Sequence, residues 1–91
     1  MKEQNKKYEI LFADGFDDCI IGYVNGNSVD SFRIVYDSWK MIDVLCERDL
    51  MTRVEAIEYL EHNTWSAYAG KGTPLYVDVT PNRQDIEDLL T

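Results

Sequence analysis

Three carboxylates crowd one short stretch of this chain: Asp14, Asp17 and Asp18. Oxygen donors so close together suggest a hard-cation site. An EF-hand loop, however, needs acids at alternate positions, a Gly at six and a Glu at twelve, and Asp14-Gly15-Phe16-Asp17-Asp18 lacks that spacing. The stretch reads instead as a turn with solvated charge and no metal. Gly15 can take a positive φ, and Asp14 can close an Asx-turn. The acids matter collectively: from Tyr8 to Phe32 there are five acids and no Lys or Arg. That segment projects one sign of charge and suits a basic partner.

Other chemistry-bearing residues offer less. Cys19 and His62 would need hydrogen-bond reach to act as nucleophile and base, and no oxyanion-type glycine loop accompanies them. They read as a buried thiol and a helix-end histidine, with no catalytic residue assigned. Two Cys and one His do not supply the four ligands of a zinc site. Gly70-Lys71-Gly72-Thr73 has the look of a phosphate loop, yet it lacks the upstream Gly and follows a helix. The aromatic set Tyr59, Trp65, Tyr68 and Tyr76 packs the second helix on the sheet, and its surplus beside the glycine turn can anchor a partner.

Bulk composition narrows the classes. Ninety-one residues with 45% hydrophobic content make one domain with one core. A net charge of −8, from 17 acids and 9 bases, argues against gripping nucleic-acid phosphates or an anionic membrane surface. The polar opening Met1–Lys7 has no apolar segment behind it, and no run approaches the ~20 residues that span a bilayer. With two isolated cysteines, this predicts a cytoplasmic protein with reduced thiols.

The elements follow from pattern. Residues 1–6 are expected as a flexible lead, and 7–91 as a single domain. Tyr8–Ala13 and Cys19–Val24 have strand composition, the second apolar on both faces and so expected to be central or covered. Asn25-Gly26 is a hairpin signal, and Ser31–Tyr36 puts Phe32, Ile34 and Tyr36 on one face. A helix capped by Asp37 or Ser38 should bury Trp39, Ile42, Leu45 and Cys46. Thr52-Arg53-Val54-Glu55 is a capping box opening a second helix, which buries Ala56, Ile57, Leu60 and Thr64 and ends at Gly70. Leu75–Val79 alternates as an edge strand with Leu75, Val77 and Val79 inward. Thr80 and Pro81 should open a last amphipathic helix with Ile86, Leu89 and Leu90 on one face. The order ββ(β)ααβα predicts an α+β fold: a small antiparallel sheet of three or four strands, an N-terminal hairpin or meander, packed by a central helix pair.

Asp14-Gly15-Phe16-Asp17-Asp18-Cys19-Ile20-Ile21-Gly22 resembles a block found in a family of small uncharacterised proteins of tailed bacteriophages and prophages. Tyr36-Asp37, Met51-Thr52-x-x-Glu55-Ala56 and Asn63-x-x-x-Ala67-Tyr68-Ala69-Gly70-x-x-Thr73-Pro74 are similar to its later blocks, in order. The likeness covers Asp14 to Val77. Asp49-Leu50 departs from the Asp-Gly of that pattern, and Trp65-Ser66 from an aliphatic-Gly pair. The resemblance implies an accessory protein of phage origin and carries no established activity.

The function expected is binding without a cofactor, directed at a host protein with a basic surface. Its candidate residues are Asp14, Phe16, Asp17, Asp18, Tyr36, Trp65, Tyr68, Lys71 and Thr73. The alternatives are a small-ligand or nucleotide-binding domain using Tyr36 and the Trp65–Thr73 turn, and a Mg-dependent enzyme using the acidic turn. A homodimer is compatible with all three.

Overall fold

The fold is known from a computed structural model, which describes residues 4–5, 10–25, 32–80 and 82–90. It is α+β. Strands β1 (Gln4–Asn5) and β2 (Ile10–Leu11) pair antiparallel, which places two residues of the expected lead in a ladder. Strands β3 (Ile20–Asn25), β4 (Phe32–Asp37) and β5 (Leu75–Val77) form a second sheet in the order β3-β4-β5. Residues 26–31 of the expected hairpin turn, Tyr8, Glu9 and Pro81 lie outside the described residues.

The sheet is mixed rather than antiparallel. β3 and β4 pair antiparallel, but β5 runs parallel to β4, with Val35 opposite Leu75 and Tyr36 opposite Tyr76. The cause is the connection. After β4 the chain passes through helices α1 (Ser38–Arg48) and α2 (Arg53–Leu60), and such a crossover returns a strand in its original direction. β5 takes the edge, as Pro74 and Asp78 suggested. β3 takes the other edge, is exposed along most of its length, and is not the covered strand its composition suggested. A register irregularity between Ile20 and Gly22 marks a bulge there.

Pairing Tyr76 with Tyr36 also reverses the expected faces of β5. Register partners share a face, so Tyr76 turns inward and its ring lies 5.6 Å from that of Tyr36. Val79, expected inward, is exposed.

Asp37 caps α1 by accepting from the Trp39 and Lys40 amides at 3.0 and 3.2 Å. The buried stripe is Ser38, Met41, Ile42 and Leu45, spaced i, i+3, i+4, i+7. Trp39 is 53% exposed, one step off that stripe, and is not the core residue expected. Ser38 accounts for the shift, because its hydroxyl takes the inward position and donates to the Val77 carbonyl (2.9 Å) and to Asp78. The capping box is present: Glu55 donates its amide to Thr52 Oγ1 at 3.1 Å, and Glu55 Oε1 accepts the Thr52 amide at 2.9 Å.

α2 gives way to a π-helical turn at Glu61–Trp65 and ends near Ser66. Gly70, at φ +107°, belongs to the following turn and not to the helix end. Helix α3 (Arg83–Leu90) is capped by Asn82, whose Oδ1 accepts the Gln84 amide at 2.8 Å, and not by Thr80. The core gathers Ala13, Phe16, Cys19, Tyr36, Met41, Leu45, Ala56 and Leu60 between the sheet and the α1–α2 pair.

Candidate functional site

The acidic turn is built from the core outward. Phe16 is buried and anchors it, and a 3-10 turn over Asp17–Cys19 brings the chain into β3. The Ala13 amide donates to the buried Tyr36 hydroxyl at 2.7 Å, tying the start of the turn to the central strand. Gly15 sits at φ +89°, where a Cβ would stand 3.2 Å from Arg48 Nη1. That nitrogen donates to the Gly15 carbonyl at 2.9 Å. Arg48 also meets Asp49, Nε to Oδ1 at 3.3 Å, and its guanidinium lies 5.4 Å from the centre of the Phe16 ring.

Two concavities flank this turn. One is an open groove of about 490 Å³ between the turn and the end of α1. Asp14, Asp17, Asp18 and Glu47 supply four carboxylates to its lining, and Arg48 is the cation among the described residues there. With four carboxylates against one guanidinium, the groove presents excess negative charge to solvent. Among the described residues no three of His, Cys, Asp and Glu are placed to hold a metal ion.

The second concavity, about 280 Å³, lies between the turn and the π-helical segment. Phe16, Tyr59 and Tyr76 form its aromatic walls, and Asp14, Arg48, Asn63 and Thr64 its polar ones. Asn63 Nδ2 donates back to the Tyr59 carbonyl at 2.9 Å, holding the widened turn. The Tyr76 hydroxyl is buried without a hydrogen-bond partner. Burial, reinforced by the neighbouring Tyr36, pushes this phenol up to about 12 and keeps it neutral.

Of the residues singled out in the sequence, Asp14, Phe16, Asp17 and Asp18 come together here. Tyr36 lies beneath them with 0% exposure; burial raises its phenol and leaves it no surface to offer a ligand. Trp65, Tyr68 and Thr73 line a separate cleft with Arg33 and Leu75, joined to the cavity through the shared residues Ala67 and Tyr76. Thr73 is buried and serves the turn. Its hydroxyl accepts from the Ala69 amide (2.8 Å) and donates to the Gly70 carbonyl (2.7 Å), while its own carbonyl accepts Arg33 Nε at 2.6 Å. Lys71 is exposed and outside the lining of that cleft. Cys19 has no exposed surface and burial raises its thiol, whereas His62 stands exposed on the π-helical turn, so the imagined pair has no nucleophile to offer.

Sequence reasoning placed Tyr59 in an aromatic set but missed Arg48, Glu47 and Asn63. Arg48 reads in sequence as a helix-end cation, and nothing local links it to Gly15. A π-helical turn has no periodic signature that would have singled out Asn63. Compared with protein-family models, with curated proteins and with solved structures, the chain matches none.

Proposed function

We propose that this chain is a small acidic binding protein that docks, through the groove at the Asp14–Phe16 turn, on a partner carrying a Lys/Arg-rich segment. The observation that carries this reading is the arrangement of charge. Four carboxylates line one groove, and the guanidinium beside them is held by the Gly15 carbonyl and Asp49. Exposed carboxylates of this kind steer a basic partner and fix its register more than they add raw affinity. The resemblance to phage and prophage proteins makes the partner a bacterial host protein, and the chain an accessory factor that modulates it. In a pull-down from bacterial lysate the folded protein should retain a specific partner. The Asp17→Asn/Asp18→Asn/Glu47→Gln variant should release it, and equal recovery with that variant would contradict the proposal.

A second reading, a small-ligand site, is favoured by one observation in the adjacent cavity. An unpartnered Tyr76 hydroxyl stands beside a π-helical turn, a distortion that frequently marks functional sites. A thermal-shift screen of nucleosides, nucleotides and signalling dinucleotides tests it. Ligand at 100 times its dissociation constant adds about 2.7 kcal/mol, and no shift with any of them removes the reading.

A further inference from the structure

Helix α3 holds a face that its own domain does not cover. Ile86, Leu89 and Leu90 recur at i, i+3, i+4, yet no residue of the helix is buried, and Leu89 and Leu90 are 79% and 81% exposed. An eight-residue helix is marginal on its own in water and needs packing to persist. Its internal bonds, Arg83 to Glu87 at 2.8 Å and Gln84 to Asp88 at 2.9 Å, are exposed and add little. The apolar face continues into the body of the protein. Trp39 and Val79, both about half exposed, line with Leu89 a cleft of about 350 Å³ rimmed by Asp78 and Asp85.

We infer that this face receives a basic amphipathic helix of another protein. The apolar strip with an aromatic at its end is the geometry that helix-in-groove recognition uses. Charge selects the occupant. Asp85, Glu87 and Asp88 stand on α3, Asp78 stands beside it, and the cation Arg83 is bonded to Glu87. Two copies of this chain meeting here would bring these acids together, and an anionic bilayer would meet the same repulsion. A helix with Lys or Arg beside its apolar stripe meets complementary charge. The site is independent of the acidic groove: Trp39 opens α1, whereas Glu47 and Arg48 close it, and nine residues of helix put them about 13 Å apart along its axis.

The test is an amide and indole NMR titration with a synthetic Leu/Lys helix of about 14 residues, some four turns. A scrambled peptide of the same composition and a Leu/Glu analogue serve as controls. The Leu/Lys helix should shift the Trp39 indole and the α3 amides. The scrambled peptide should bind at least ~10-fold more weakly, the scale on which a buried apolar anchor counts. Leu89→Ser should weaken binding to the same degree with the thermal midpoint unchanged, and Asp17→Asn/Asp18→Asn should leave the midpoint of the Trp39 and α3 shifts unaltered. Equal affinity for the scrambled peptide, or none lost in Leu89→Ser, overturns the inference. So does a concentration-dependent dimer that Leu89→Ser abolishes, or binding of phosphatidylglycerol vesicles through the same residues.

Discussion

Arg48 Nη1 donates to the Gly15 carbonyl at 2.9 Å, joining the last turn of α1 to an acidic turn 33 residues earlier in the chain. The groove beside this contact is negative because Asp14, Asp17, Asp18 and Glu47 outnumber the single guanidinium in its lining. Arg48→Gln should destabilise the fold by about 0.5–1 kcal/mol, the scale of a solvent-accessible hydrogen bond, read as a lower urea midpoint. It should leave affinity for a basic segment undiminished, since the four carboxylates remain.

Leu50 predicts an effect of opposite sign. It follows the α1 cap residue Asp49 at φ +57°, 85% exposed, with the Asp49 and Met51 amides both donating to the Leu45 carbonyl. A left-handed conformation costs a non-glycine residue about 1–2 kcal/mol, and glycine's extra chain entropy returns about 0.5–1. Leu50→Gly should therefore stabilise the protein by about 0.5–1 kcal/mol, measured by denaturant unfolding.

Tyr76 ties stability to alkaline pH. Its folded value is raised from the ordinary 10.0 to about 12, so the unfolded chain loses this proton first as pH rises. Its contribution is fully present below pH 10 and is lost between about pH 10 and pH 12. Tyr76→Phe should flatten that part of the stability profile, leaving a residual slope from Tyr36. At neutral pH the variant should be at least as stable as the parent, because an unsatisfied buried hydroxyl costs about 1–3 kcal/mol. A clear loss of neutral stability would show that the hydroxyl has a partner.

Much of this fold is written in local chemistry. Asp37, Thr52 and Glu55 cap their helices as their spacing requires, and Ile34 and Tyr36 keep the expected inward face of β4. What local pattern could not supply is the pairing between distant segments. Composition placed Cys19–Val24 in the interior, but the crossover through α1 and α2 delivers β5 to the other side of β4, so β4 is central and β3 is left at an edge. That parallel register turned Tyr76 inward and Val79 outward, and with Ser38 bonded to Val77 the helix rotated Trp39 into solvent. For the site, the clustered acids were legible because they are adjacent in sequence. Glu47 and Arg48 were not, because only the folded chain brings them alongside.

The acidic groove is tested most directly by an amide NMR titration with a short oligo-arginine peptide at fixed ionic strength. The shifts should concentrate on Asp14–Asp18, Glu47 and Arg48, and collapse in Asp17→Asn/Asp18→Asn. Shifts spread evenly over every acidic side of the molecule, or unchanged in that variant, would contradict the groove as the docking surface.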